Sequence, residues 1–428
     1  MAPCLNIKSL GLISKIYEVE MKQIYEELLN NVHDYSEFLT PDELDENSEI
    51  LAKKYSDCVE IFQIGETTLG KPIKCLKIGN GAKNALMLGC PHPNEPIGTM
   101  MLEYFTEALA KSKALRDEIG YTWYVVKAWD RDGLELNNKW LKGPYSISEY
   151  SKHFYRPASY KQVEWTFPKK HKKLDFNNPI SETVAVMKLI DEIKPEFTYS
   201  LHNAGFGGVY WYLSEGMDGL YDNMYSAAEK QGIPVHLGEP ESPTLKVLAP
   251  AIYEMKGIDE SYDYFEDMGL DPVSIIKCGT SSDDYARERY GTYTLLTELP
   301  YFYDARIKDL SETKSTRQEI VLEKLDWLEK NNKKISSIID MSKAYMRREN
   351  PFYLAIESFT KDDYITAERT LVNTDTAYLR KATEAEVFDN LLVSKFYNLL
   401  SVGMLKRANE YELDYMEENA IKDATMER

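Results

Sequence analysis

Two histidines and two glutamates stand at the ends of apolar runs, where their types and spacing suit metal-assisted hydrolysis. His92 and Glu95 follow the run ALMLGCP, His202 follows FTYSL, and Glu298 follows TYTLLT. Catalytic zinc takes three protein ligands and keeps one position open, and two histidines with one glutamate form an established set. We therefore predict one zinc ion per chain, bound by His92, Glu95 and His202.

Glu298 is the candidate for the proton-transfer group of such a site. Zinc lowers the pKa of its bound water to about 7, and a nearby carboxylate can take a proton from this water and pass it to a leaving amine. A lone His-x-x-Glu arises often by chance, and His202 alone could be a core histidine. The prediction depends on all four residues occurring together, each at a strand end.

The elements that must position these residues are predicted from apolar periodicity. Helices are expected over residues 13–33, Asp42–Tyr55, 97–112, Ser181–Ile193 and Tyr221–Lys230. Strands are expected over Val59–Ile64, Ile73–Ile78, Ala85–Gly89, Tyr121–Ala128, Phe197–Leu201 and Thr292–Leu296. This alternation predicts an α/β fold with a central sheet covered by helices, in which ligands bind at the carboxyl ends of strands.

Composition limits the class of partner. The chain of 428 residues has a net charge of −19 and no concentrated basic face, so we expect no nucleic-acid partner. Its five cysteines are scattered without paired spacing, which predicts a reducing, cytoplasmic setting. No apolar stretch approaches the roughly 20 residues of a membrane span, so no membrane partner is expected.

The character of the sequence changes near residue 306, where charged, helix-favouring residues begin and continue to the end. We predict three parts: a helical lead-in over 1–37, a catalytic domain over 38–309, and a helical region over 310–428. The last part is either a small bundle or a layer against the catalytic domain. Its amphipathic helices could form a homo-oligomer interface or cover the pocket.

Several ordered motifs over residues 38–305 resemble the zinc carboxypeptidase family. HPNE stands for the family's His-x-x-Glu, WDRDG is similar to its Asn-Pro-Asp-Gly turn, and GTSSDDYARERYGTYTLLTE resembles the segment before its catalytic glutamate. The resemblance implies a mixed central sheet flanked by helices, one zinc ion, and hydrolysis of an amide, usually a C-terminal peptide bond. It puts His92, Glu95 and His202 at the ligand positions and Glu298 at the general-base position.

Departures from the family pattern concern the substrate. The family holds the terminal carboxylate with an Asn-Arg pair, and the nearest match here is Tyr155-Arg156. Lys142 is the nearest match for the family's oxyanion-stabilising arginine. The resemblance also implies that Asn203 shapes the pocket, and that Asp283 lines the side-chain pocket, where an acid would favour lysine, arginine or another amine.

The leading hypothesis is a metallocarboxypeptidase that releases C-terminal residues from short peptides. One alternative keeps the site and changes the substrate, to give an amidase or deacylase acting on small N-acyl amino acids or a modified peptide. Another is a non-catalytic binding protein that has retained the pocket.

Overall fold

A mixed sheet of nine strands lies at the centre of the protein. The computed structural model describes residues 22–360 and 363–426. The described strands are β1 (Val59–Glu66), β2 (Pro72–Ile78), β3 (Lys83–Leu88), β4 (Tyr121–Val126), β5 (Lys169–His171), β6 (Leu174–Phe176), β7 (Phe197–His202), β8 (Phe206–Gly207), β9 (Tyr210–Leu213), β10 (Val247–Ala249), β11 (Ile252–Glu254), β12 (Tyr293–Glu298), β13 (Phe302–Tyr303), β14 (Glu312–Thr316) and β15 (Lys381–Thr383). The order in the large sheet is β1-β2-β4-β3-β7-β12-β9-β11-β10, and the other six strands form three pairs, β5 with β6, β8 with β13 and β14 with β15.

Helices cover this sheet, and they make up most of the chain that follows its last strand in sequence, β12. They are α1 (22–30), α2 (Pro41–Lys54), α3 (Ile97–Lys111), α4 (Lys113–Ile119), α5 (Arg131–Leu136), α6 (Asn138–Leu141), α7 (Ile147–His153), α8 (Ser181–Ile193), α9 (Tyr221–Lys230), α10 (Ile258–Asp267), α11 (Pro272–Ile275), α12 (Ser282–Tyr290), α13 (Arg317–Lys343), α14 (Pro351–Phe359), α15 (Asp363–Thr374), α16 (Glu384–Phe388) and α17 (Ser394–Met426). None of the helices described here is both long enough and apolar enough to cross a membrane.

The predicted helices are present, with small shifts at their ends. The helix predicted for Asp42–Tyr55 begins one residue earlier. There the Thr40 hydroxyl accepts a hydrogen bond from the Glu43 amide, and the Glu43 carboxylate accepts one from the Thr40 amide, which is a capping box. Helices α8 and α9 have the predicted bounds. Of the helix predicted for residues 13–33, the part over 22–30 is helical, and residues 13–21 lie outside the described part.

The four strands at the middle of the sheet, β4, β3, β7 and β12, run parallel to one another. Strands β3 and β7 are buried along most of their length, which explains why their sequences read as continuous apolar runs. Parallel strands end at the same edge of a sheet. Residues that follow β3, β7 and β12 are therefore brought to one rim, as the sequence predicts.

The C-terminal helices form a layer against the sheet domain. Helix α17 packs on α7 and α14, and its Phe396 and Leu400 share one buried cluster with Trp140 and Tyr150 of the sheet domain. The approach between α17 and α7 is close: a Cβ atom at Gly403 would lie 1.8 Å from the carbonyl oxygen of Ser151, so only glycine fits there. The position of the domain boundary at 309/310 stays a prediction.

Candidate metal centre and active site

The loop between β3 and α3 carries two of the predicted ligands. The Glu95 amide donates a hydrogen bond to the His92 carbonyl oxygen at 3.0 Å, which closes a tight turn around Pro93. The WDRDG turn (Trp129–Gly133) packs against this loop. A Cβ atom at Gly133 would lie 2.7 Å from two carbon atoms of the Pro93 ring, so glycine allows the two turns to touch.

The other two residues end neighbouring strands. His202 is the last residue of β7 and Glu298 the last of β12, and the two are register partners across this parallel pair. His202 is 1% exposed and Glu298 is 8% exposed. Both side chains are therefore held by the sheet itself, which fixes their separation far better than a loop would.

The three candidate ligand atoms lie close together. Nδ1 of His92 and Nδ1 of His202 each lie 3.0 Å from Oε2 of Glu95. The two nitrogen atoms are 3.2 Å apart. Tetrahedral zinc, with ligand atoms at about 2.0–2.1 Å, separates them from each other by roughly 3.3 Å. The donor set and its spacing therefore fit a zinc ion with one open coordination position.

The charges around this cluster also favour a cation. Burial opposes protonation of His202, but Glu164 and the other nearby carboxylates outweigh burial and raise the pKa of His202 to about 10. Burial likewise opposes ionisation of Glu95, yet His92, His202 and Arg156 hold the pKa of Glu95 well below its ordinary value. Positive charge is stabilised at this point, and a divalent ion would supply it directly.

Glu164 is a candidate positioning residue that the sequence did not reveal. Its buried carboxylate lies 3.2 Å from Nε2 of His92 and 3.7 Å from Nε2 of His202, on the side of each ring that faces away from the ligand cluster. Burial raises the pKa of Glu164, but the two histidines outweigh it and lower the pKa. The carboxylate places a negative charge behind both rings, and a hydrogen bond from Nε2 to it would orient a metal-binding histidine and fix its tautomer.

Glu298 is close to the ligand cluster without belonging to it. Its Oε1 lies 3.8 Å from Nδ1 of His202. Burial raises the pKa of Glu298 well above its ordinary value, and the His202 charge opposes this only in part. A buried carboxyl group with a raised pKa, next to a metal site, is suited to accepting and returning a proton.

Three predicted substrate-binding residues line the cavity at this site. Arg156 donates to Oε1 of Glu95 at 3.0 Å and to Gln162 at 3.3 Å, so its guanidinium lies beside the ligand cluster. The Asn203 side chain instead holds the loop together, because it accepts from the Tyr301 hydroxyl at 2.6 Å. Asp283 lines the same cavity, and burial raises its pKa to about 6.

Two predicted residues lie elsewhere. Lys142, predicted to stabilise an oxyanion, is not among the residues that line the cavity. Its ammonium group lies 2.8 Å from Glu43 in the first turn of α2 and 3.1 Å from Glu37, which precedes that helix. Tyr155 is not brought to the cavity either. Its amide donates to Asn137 at 3.0 Å, and its buried ring packs edge-on against Phe352 in α14.

The cavity has a volume of about 750 Å³ and is walled on one side by the C-terminal layer. Lys324 and Leu328 of α13, Phe359 of α14, and Tyr397 and Ser401 of α17 belong to this wall. The Tyr397 hydroxyl accepts a hydrogen bond from the Gly205 amide, in the loop that follows His202, at 3.2 Å. The layer thus contacts the site itself, as one of the two alternatives for the C-terminal region predicts.

Comparison with known proteins identifies the family of this chain. The model of the zinc carboxypeptidase family matches residues 47–304, which is more than half of the chain. Among solved structures, carboxypeptidase A from Helicoverpa armigera is 13% identical, with coverage of 66% of this chain and 72% of that chain and a TM-score of 0.40. A metallo-carboxypeptidase from Burkholderia cenocepacia is 14% identical, with coverage of 61% of this chain and 60% of that chain and a TM-score of 0.37. No curated protein matches the chain. From the extent of the family match, the chain belongs to the zinc carboxypeptidase family and is a zinc metallohydrolase.

Proposed function

We propose that this protein is a metallocarboxypeptidase that releases C-terminal residues from short peptides or peptide-like amides. The observation that carries the proposal is the placement of Glu298, 3.8 Å from His202, beside a cluster of three ligand atoms in a walled cavity. A zinc ion bound by His92, Glu95 and His202 would polarise an amide carbonyl and acidify water.

Glu298 carries the proton through the reaction. In its ionised form it takes one proton from the attacking water as the new C–O bond forms at the scissile carbonyl carbon. The resulting carboxylic acid then donates this proton to the amine nitrogen as the C–N bond breaks. The buried setting of Glu298, which raises its pKa, stabilises the acid form that exists between the two proton transfers.

In this mechanism Arg156 binds the carbonyl oxygen of the scissile amide. Its guanidinium lies beside Glu95, so a carbonyl oxygen directed at the ligand cluster comes within reach of its donors. A fixed cation at that point stabilises negative charge that develops on the oxygen. Asp283, with its raised pKa, is proposed to contact the side chain of the leaving residue.

The C-terminal layer favours short substrates. It walls a cavity of about 750 Å³, which accommodates a few residues and leaves little room for a folded chain. We therefore propose that the layer selects peptides by length, and that peptides of two to six residues are hydrolysed better than longer ones.

Replacement of the proton carrier tests the proposal. We expect Glu298→Gln to lower kcat by roughly 10²–10⁴-fold while zinc stays bound at one ion per chain. Glu241→Gln is the matched control, because this carboxylate lines the same cavity but accepts from the hydroxyls of Tyr210 and Tyr212. Full activity of Glu298→Gln on acyl dipeptides would refute the role.

A second candidate is an amidase or deacylase. The position of Tyr155 favours it, because Tyr155 packs on Phe352 and leaves Arg156 without the neighbour that the family places beside it. Peptides with free and amidated C-termini separate the two functions. A carboxypeptidase hydrolyses only the free acids, whereas equal rates on both would identify the amidase.

A further inference from the structure

Three lysine or arginine side chains line the cavity, and two of them are already engaged. Arg156 is held by Glu95 and Gln162. Lys324 donates to Glu368 at 2.6 Å. Lys256 is different: among the side chains that the structure describes, no carboxylate lies within ion-pair distance of its ammonium group, and it makes no hydrogen bond.

The other charged residues that line the cavity are mostly acidic, so a cation without an ion-pair partner is important for binding an anionic substrate. Besides the metal-site carboxylates, the lining includes Glu241 and Asp283, neither of which has an ion-pair partner among the described residues. A substrate carboxylate that enters such a cavity is repelled and loses its hydration. It needs a cation that is free to pair with it, and Lys256 fulfils that condition.

The fold places Lys256 in the same cavity as the candidate metal centre. Lys256 follows β11 by two residues, and its neighbours Met255 and Gly257 line the cavity together with Leu296 and Glu298 of β12. One continuous cavity therefore joins Lys256 to the ligand cluster.

The segment around Lys256 is also fixed in place. A Cβ atom at the next residue, Gly257, would lie 2.8 Å from the Asp284 carboxylate, so the backbone lies directly against the first turn of α12. That turn also carries Asp283. Lys256 therefore lies at a defined wall of the cavity, next to the residue that resemblance to the family assigns to the leaving side chain.

We infer that Lys256 binds a carboxylate of the leaving C-terminal residue, either its α-carboxylate or an acidic side chain. The inference rests on the proposed function, since it needs a leaving residue in this part of the cavity. It assigns the anchoring of that residue to Lys256 and leaves Arg156 to the scissile carbonyl.

Binding to a non-hydrolysing variant tests this independently of turnover. Zinc-loaded Glu298→Gln protein is titrated calorimetrically with N-acetyl-Ala-Glu, with N-acetyl-Ala-Gln, and with the C-terminal amide of each. Adding Lys256→Met, which keeps the length of the side chain, is expected to weaken binding of the ligand whose carboxylate it holds by roughly 10- to 100-fold. Lys256→Arg is expected to retain most of the affinity.

The comparison of ligands identifies the carboxylate. A loss confined to free-acid ligands assigns the α-carboxylate, and a loss confined to glutamate-ending ligands assigns the side chain. Lys324→Met is the control, because this lysine lines the same cavity but is paired with Glu368. The inference is overturned if Lys256→Met changes all four affinities equally, or if no ligand binds. Absence of hydrolysis by the wild-type enzyme would instead remove the proposed function.

Discussion

Glu164→Gln is expected to weaken zinc binding although residue 164 is not one of the three candidate ligands. The carboxylate faces Nε2 of both ligand histidines, at 3.2 Å for His92 and 3.7 Å for His202, and only 5% of the side chain is exposed. Glutamine keeps the shape and removes the charge. The change therefore tests orientation and ligand basicity with little disturbance of packing.

The size of the effect follows from the role of such an outer carboxylate. Loss of one outer partner of a ligand histidine costs 10- to 100-fold in metal affinity. Because only the Nε2 atom of His92 lies within hydrogen-bond distance of Glu164, we expect a Kd for zinc about 10-fold higher, or about 1.4 kcal/mol at 1.36 kcal/mol per factor of ten.

Competition with a chromophoric chelator at fixed pH measures this Kd for wild-type, Glu164→Gln and Glu241→Gln proteins. The control carboxylate lines the same cavity but contacts tyrosine hydroxyls, so its replacement should change the Kd less than threefold. Melting curves in the presence of chelator confirm that each variant folds. An unchanged zinc Kd in folded Glu164→Gln would refute the positioning role.

Two further outcomes are expected. The value of kcat/KM should fall about tenfold per pH unit as the pH decreases through the raised pKa of Glu298, because the protonated acid cannot accept a proton from water. A kcat/KM of the zinc-loaded enzyme that stays constant at acidic pH would contradict this. Gly403→Ala should lower the free energy of unfolding, measured in urea, by about 1–3 kcal/mol, because its Cβ would lie 1.8 Å from the Ser151 carbonyl oxygen. Gly219→Ala is the control: no atom lies within 4 Å of a Cβ at this position, so its free energy of unfolding should change little.

The parallel strands and the four residues at their ends could be predicted from the sequence. Strands β3 and β7 are buried runs, and a buried run followed by a histidine or a carboxylate places that side chain at the rim. Strands β9 and β11 were not predicted, because each has only four or three residues, too few for a periodic signal.

The positions of the residues around the candidate metal ligands could not be predicted from the sequence. Lys142 was assigned by its place in a string of residues, but the string does not show that the end of α6 faces Glu43 in α2 and Glu37 just before this helix. Glu164 stands in QVEWTFP with no spacing to another ligand, and only the tertiary fold brings it beneath His92 and His202.

The contact between the C-terminal layer and the cavity depends on distant parts of the chain. Tyr397 meets the Gly205 amide across 192 positions in sequence, and Arg407 donates to the carbonyl oxygen of His153 at 2.6 Å. Helical periodicity in the sequence predicts that these helices have an apolar face. It does not predict which surface that face covers.

The most direct test of the central claim is zinc content and amide hydrolysis measured on one preparation, before chelation, after chelation, and after one equivalent of zinc is restored. If His92, Glu95 and His202 bind the ion that the reaction needs, native protein holds one zinc per chain, chelation removes zinc and activity together, and one equivalent restores both. Undiminished hydrolysis by zinc-free protein would contradict this account.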